Sequence, residues 1–459
     1  MVIVPSASTE RKGKQGRMRN LLYQLNKGLL VAAILGGLLV VAPASAQVTG
    51  LYYQEIHKDG QIYVFNTYER YTSFQATGKM GKGAITLPGR GPKSETLVGE
   101  NATAIDMFLF KNNLPGYDRP TAKPAAASDL PKTTVGGRMF ADLSSKDNKD
   151  DGTGVKSSDS GIGTDAKRFY LIANTTFNSV WSAKFETDIG DAGAKRYDVF
   201  VKNAYLQAKL DDAAIFRIGA ADAPWTSFVD MLYGQRYIEN AFTDSLSFAN
   251  TADWGMHFLG SAAGNLVSYA FSVVNGKGYS SPSRSKTVDF EGRVSIEPVE
   301  GLTFGIGGYS GKRGLETDAA PAKHTASRFD AVANWVVGPV KIGGEYFTAH
   351  DWNQVTTVAQ DKADGYSGWL QLKVARDWTL FDRYDSANPS KDLKPALKYD
   401  YDNVGVQWQV AKPVMASLVY KYAEVKNGTL STSNGTIGST KAGADGKYNE
   451  VGLWFSYDF

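Results

Sequence analysis

Residues 446–459 read GKYNEVGLWFSYDF, and Val451, Leu453, Phe455, Tyr457 and Phe459 alternate there with Gly452, Trp454, Ser456 and Asp458. An apolar residue at every second position is the pattern of a strand with one apolar face. The same period recurs upstream. Val288, Phe290, Val294 and Ile296 alternate with Asp289, Glu291, Arg293 and Ser295, and Trp181, Ala183, Phe185 and Ile189 with Ser182, Lys184, Glu186 and Asp188. About sixteen such segments follow residue 132, near 133–142, 165–176, 179–189, 196–209, 213–222, 251–260, 265–274, 286–297, 301–310, 325–337, 338–349, 363–374, 376–385, 398–410, 412–425 and 446–459. Some links are very short (211–212, 338–339, 411–412), whereas others are long and polar (144–165, 310–324, 351–363, 425–447). An even number of amphipathic strands, with short turns on one rim and long loops on the other, predicts an all-β fold. The expected architecture is a 16-stranded antiparallel transmembrane β-barrel over 132–459.

A soluble sandwich would alternate in the same way. Two further features favour lipid on the apolar face. Aromatic residues stand near strand ends (Trp181, Trp254, Trp335, Trp378, Tyr346, Tyr420, Tyr422), where interfacial girdles belong. The N-terminus reads as an export signal: Arg19 and Lys27 precede the uncharged run 28–42, and Pro43-Ala44-Ser45-Ala46 supplies a small-residue cleavage site. The run is shorter than the roughly 20 residues a spanning helix needs, so 1–46 is assigned as a signal peptide, with translation starting at Met1 or Met18.

The charge agrees with that division. Six of the basic residues lie in 1–46, and the remainder holds 44 basic and 46 acidic residues. No basic domain of the kind nucleic-acid binders carry is present, so no nucleic-acid partner is expected. There is no cysteine, which excludes disulfide scaffolds and thiolate metal sites. The four histidines are scattered, and no H-E-x-x-H, G-x-S-x-G, Walker or G-x-G-x-x-G motif occurs. No enzyme activity and no cofactor are expected.

Residues 47–112 have a different character. Gln61–Phe65 is a short strand after the turn Lys58-Asp59-Gly60; a helix follows Asn66 or Thr67 and stops at Gly78; a second helix over 100–110 aligns Ile105, Phe108 and Leu109 on one face. This predicts a small α/β module. Pro115, Pro120, Pro124 and Pro131 mark 113–131 as a stiff linker.

The signal, the sixteen strands and the terminal Phe459 together resemble a bacterial outer-membrane porin. Two stretches, RDWTLFDRYDSANP at 376–389 and GAADAPW…YIENAF at 219–242, are similar to the phosphate-selective porin family. The chain departs from that family in its N-terminal module, and it carries no concentrated run of lysine or arginine within its strands. The resemblance implies a Gram-negative outer-membrane location with the 47–112 module in the periplasm, lipid around the barrel, passive diffusion of ions and small hydrophilic solutes, and a homotrimer. The alternative at this stage is a loop-plugged barrel acting as adhesin, receptor or envelope tether. The 47–112 module could contact peptidoglycan, occlude the periplasmic mouth or pack under the barrel.

With the apolar set turned outward, the inward set is Lys184, Arg217, Asp289, Glu291, Arg293, Arg328, Asp330, Lys341, Glu345, Lys373, Arg383 and Asp385, joined by Glu186, Asp188 and Lys421. These are the expected pore-lining residues, because charge along a lumen sets ion preference; the alternative is that they only pair across strands and hold register. The strand near 197–210 fits poorly, since Lys202 shares parity with Phe200, Ala204 and Leu206. The stretch 224–250 is rich in aromatic residues and is expected to fold inward and narrow the pore rather than extend into solvent; the alternative is an external loop or a subunit contact. Resemblance to porins with an infolded loop implies Asp230, Arg236 and Glu239 as its constriction candidates.

Overall fold

The structure, a computed structural model, describes residues 52–117, 131–191, 197–263 and 266–459. The expected signal segment and most of the expected linker lie outside the described residues. Those that are described form two units.

In the smaller one, β1 (Gln54–Lys58) and β2 (Gln61–Phe65) pair across Asp59-Gly60. Both turn residues have positive φ, 52° and 71°, the conformation for which Asp-Gly is suited in tight hairpins. Helix α1 (Tyr68–Thr77) ends on Gly78 in the left-handed region. Strands β3 (Ile85–Leu87) and β4 (Thr96–Gly99) complete a sheet of order β1-β2-β4-β3. Helix α2 (Ala102–Lys111) is capped by the Asn101 side chain, which accepts from the Ala104 N–H. It packs Ile105, Phe108 and Leu109 against Ile62, Val64 and Leu97. Strand β1 was invisible to the period-two pattern because QEIHK holds a single apolar residue; the turn, not an apolar face, puts it in place.

The larger unit is one closed antiparallel barrel. Its strands are β5 (Lys132–Asp150), β6 (Gly161–Thr176), β7 (Trp181–Asp191), β8 (Tyr197–Asp211), β9 (Ala214–Asp222), β10 (Ala252–Ala262), β11 (Val267–Val274) and β12 (Asp289–Val299). They continue as β13 (Leu302–Gly311), β14 (Ala326–Val337), β15 (Val340–His350), β16 (Lys362–Ala375), β17 (Trp378–Asn388), β18 (Lys398–Ala411), β19 (Val414–Lys426) and β22 (Gly446–Asp458). A hairpin of β20 (Thr429–Thr432) and β21 (Gly435–Gly438) precedes the last strand. Each of the sixteen expected segments falls on one barrel strand. Strand β22 pairs with both β19 and β5, which closes the ring.

The apolar set does face outward: Phe216, Ile218, Phe290, Ile306, Leu418 and Val451 are among the exposed large side chains. Trp181, Trp335, Trp378 and Trp408 are exposed beside the short turns, and Trp378 and Trp408 stack with ring centroids 5.5 Å apart and planes 5° from parallel. Rings with an apolar body and a polar N–H suit a lipid–water boundary.

Three local expectations need correction. The link expected at 144–165 is mostly strand: β5 runs to Asp150 and β6 begins at Gly161, because the polar stretch pairs with β22 down to Gly446 opposite Asp150. The link expected at 425–447 contains the β20–β21 hairpin. The parity conflict in β8 is a β-bulge: Glu186 pairs with Asn203 and Thr187 with Val201, so Lys202 is an extra residue and the alternation changes phase there.

Candidate functional site

Residues 223–251, between β9 and β10, fold into the barrel. They carry helix α3 (Thr226–Tyr233), which ends on left-handed Gly234, and the short helix α4 (Phe242–Ser245). Trp225, Tyr233, Tyr237, Phe242 and Phe248 are all buried. The wall makes room with inward-facing glycines: a Cβ at Gly307 would lie 2.5 Å from the Trp225 ring, and one at Gly365 2.6 Å from the Phe242 ring. Gly307→Val therefore overpacks this contact, at a cost of about 1–3 kcal/mol. The expected result is a lower thermal midpoint in detergent, followed by circular dichroism; an unchanged midpoint would mean that Trp225 is not seated firmly at Gly307.

Wall cations hold the main chain of this segment. Arg293 donates to the Pro224 carbonyl at 3.1 Å, Lys341 to Leu232 at 2.8 Å, Arg383 to Asn240 at 2.7 Å and Lys421 to Ile238 at 2.7 Å; Arg328 donates to the Phe248 carbonyl. Each side chain that reaches a carbonyl satisfies an acceptor that a buried irregular backbone could not otherwise pair. The carboxylates beside them complete the network. Arg328 is 2.8 Å from both Glu291 and Asp330, Arg383 is 2.7 Å from Asp385, and Glu345 accepts from Trp225 Nε1 at 2.7 Å and Thr243 Oγ1 at 3.1 Å. Arg328, Arg383 and Lys421 are each at most 4% exposed. These expected pore-lining residues thus face inward but lie beneath the infolded segment.

The remaining expected residues are placed differently. Asp289 is buried near the long-loop rim, where it accepts from the Lys312 N–H at 2.7 Å and from the Tyr309 hydroxyl. Lys373 is exposed beside the turn 376–377. Arg217 is half-buried and bonded to Gln207 at 2.8 Å, and Lys184 is ion-paired with Glu186.

The segment leaves the wall from β5 to β9, with β19 and β22 beside it, less crowded. A cavity of about 520 Å³ lies between them, bordered by Arg138, Lys184, Lys202 and Asp222 on the wall and by Asp230 and Arg236 on the segment. A second cavity of about 330 Å³ follows β5 and β6 towards the long-loop rim, past Asp142, Lys146 and Asp165. Of the three constriction candidates, Asp230 and Arg236 pair with each other and border the first cavity. Glu239 points elsewhere. It accepts from Tyr401 at 3.0 Å, Lys421 at 3.2 Å and Asn434 at 2.8 Å, and from Ser433. Ser433 and Asn434 are the tip of the β20–β21 hairpin, which therefore also reaches into the barrel; the Ser433 N–H donates to the Ser245 carbonyl at 2.9 Å.

This inward hairpin was missed by sequence reasoning, although the Asn-Gly pairs at 427–428 and 434–435 are hairpin signals. Also missed were Arg138, Lys167, Arg168 and Lys202. The adjacent Lys167-Arg168 in a strand and the parity conflict at Lys202 were the available signals.

A sixteen-stranded closed barrel with an infolded segment after its fifth strand invites comparison with solved structures. The anion-selective porin from Comamonas acidovorans is similar, with a TM-score of 0.51 at 13% identity over 72% of this chain and 100% of that one. The outer membrane channel DcaP of Acinetobacter baumannii gives 0.51 at 13% identity over 72% and 97%. The OmpF of Salmonella typhi, solved with daunomycin, gives 0.50 at 11% identity over 72% and 98%. The barrel has a porin-like fold. No family profile matches the sequence, and no curated protein is significantly similar to it.

Proposed function

We propose that the chain is a porin of the Gram-negative outer membrane, passing ions and small hydrophilic solutes by passive diffusion. The observation that carries this reading is the charged cavity between the infolded segment and the barrel wall, with a second cavity along β5 and β6 towards the long-loop rim. Sixteen strands are enough to enclose an aqueous channel, and the segment narrows it to one side. Size would be filtered at that gap, and charge by Arg138, Lys184, Lys202 and Arg236 opposite Glu186, Asp222, Asp230 and Asp458.

The apolar outer face and the tryptophans near the short turns support a lipid-embedded barrel. In this reading residues 1–46 direct export, 47–112 form a periplasmic module joined by 113–131, and peptidoglycan is a partner to test for that module. A homotrimer is proposed by analogy with porins. The likeness to phosphate-selective porins lies in the stretches 219–242 and 376–389, which fall on the end of β9 with the infolded segment and on β17, although the strands carry no concentrated lysine or arginine run.

A second reading, a plugged barrel serving as adhesin, receptor or tether, draws on the filling of the β12–β19 side by the segment and hairpin. Single-channel recording of the mature protein in a planar bilayer separates the two. Stepwise ohmic openings are expected, and replacing chloride with phosphate in one chamber tests the preference. Inserted protein without current would establish the plugged barrel.

A further inference from the structure

Two β-bulges interrupt the wall beside the cavities, and each inserts a lysine; a further register shift between Lys209 and Asp211 lies at the short β8–β9 turn. In β6 the pairing with β5 shifts: Phe140 faces Arg168 and Ala141 faces Ala166, so Lys167 has no residue opposite. In β8 the same happens at Lys202, between Asn203 and Val201. A bulge sets two residues against one and breaks the alternation of faces, so Lys167 and Arg168 both turn inward, as do Lys202 and Asn203. Lys167 reaches Asp142 at 3.3 Å and Asp165 at 3.9 Å, beside Arg168, which pairs with Asp188 at 2.9 Å. Lys202 lies 4.3 Å over the Tyr170 ring and 3.5 Å from Glu186.

The positions of these two ammonium groups matter for the charge of the passage. Around the larger cavity four cations (Arg138, Lys184, Lys202, Arg236) meet four anions (Glu186, Asp222, Asp230, Asp458), a balance that is lost without Lys202. The smaller cavity is bordered by Asp142, Asp159 and Asp165 against Lys146 alone; Lys167 lines neither cavity itself but pairs with two of those three acids, next to Phe140, which borders the larger one. Strict alternation would have left one residue of each inward pair on the lipid face, among Phe169, Leu171, Val199 and Leu206.

We propose that Lys167 and Lys202, the two bulge residues, determine charge selectivity: they offset an otherwise acidic passage and so admit small anions alongside cations. This rests on the porin reading. The test is the reversal potential of the mature protein under a potassium chloride gradient, compared with Lys202→Glu, Lys167→Glu and the rim control Lys373→Glu. A unit charge about 4 Å from an ion's path changes local ion concentration about fivefold in a water-like medium. A reversal changes two unit charges and the ratio counts both ions, so even with most of the effect screened by neighbouring acids and salt each bulge reversal is expected to lower the chloride-to-potassium permeability ratio at least about tenfold, and Lys373→Glu less than about twofold. Lys202→Gln and Lys167→Gln give the same direction with about half the logarithmic shift, and serve if a reversal prevents folding. An unchanged ratio in variants of normal conductance overturns the proposal. A wild-type barrel that carries no current overturns it too, through the porin reading and not through the lysines.

Discussion

A barrel in which residues 226–249 are replaced by a short Gly-Ser link is expected to conduct at least about fivefold more than the parent, since an unfilled sixteen-stranded lumen is an open aqueous channel. The segment spans the interior from Pro224, held by Arg293 on β12, to Ile238, held by Lys421 on β19. Its removal exposes Arg328, Arg383 and Lys421 to water without stripping them of counter-charges. Arg328 keeps Glu291 and Asp330, Arg383 keeps Asp385, and Lys421 keeps Glu450 at 3.7 Å. The shortened barrel should therefore still fold, and single-channel recording reads the change directly. Conductance equal to the parent's would show that the constriction lies elsewhere.

Glu239→Ala should have the largest effect of any single substitution. The carboxylate joins three elements: the segment that carries it, the wall through Tyr401 and Lys421, and the β20–β21 tip through Ser433 and Asn434. It is 4% exposed, and Lys421 is 1% exposed. Removing one member of a buried hydrogen-bonded ion pair costs about 3–5 kcal/mol, because the partner stays buried with less compensation. A lower thermal midpoint in detergent and noisier open-channel current are expected, the second because the segment loses its tie to the hairpin. Quiet current with a wild-type midpoint would mean that the other carbonyl contacts suffice to hold the segment.

Much of the barrel was legible in the sequence because alternation is local. Phe290 beside Glu291, or Leu453 beside Trp454, announces a strand and its faces without reference to any other part of the chain. The upper part of β5 could not be read this way: 144–150 has no apolar face, and it is a strand only because β22 lies alongside it. The site was legible in part. The inward turn of 224–250 follows from its aromatic content, and Asp230 and Arg236 do border the cavity. That Arg328 and Arg383 hold carbonyls of Phe248 and Asn240 depends on pairings 80 and 143 residues apart in sequence, and no local pattern encodes them. Glu239 illustrates the limit best. It stands three residues from Arg236 and serves the opposite side of the barrel.

The seam between β22 and β5 has a consequence for how the protein is made. Asp458 accepts from Arg138 across 320 residues of chain, and Gly137 and Phe459 exchange backbone hydrogen bonds at 2.9 and 3.0 Å. Contacts of such sequence separation carry a large closure entropy and form slowly. Until the final residues arrive, β5 and the newest strand each present an unpaired edge, open to pairing with another chain. Such an open edge favours association between copies until β22 is in place. Pairing with β22 therefore decides closure, since a barrel without that strand has nothing with which to seal β5.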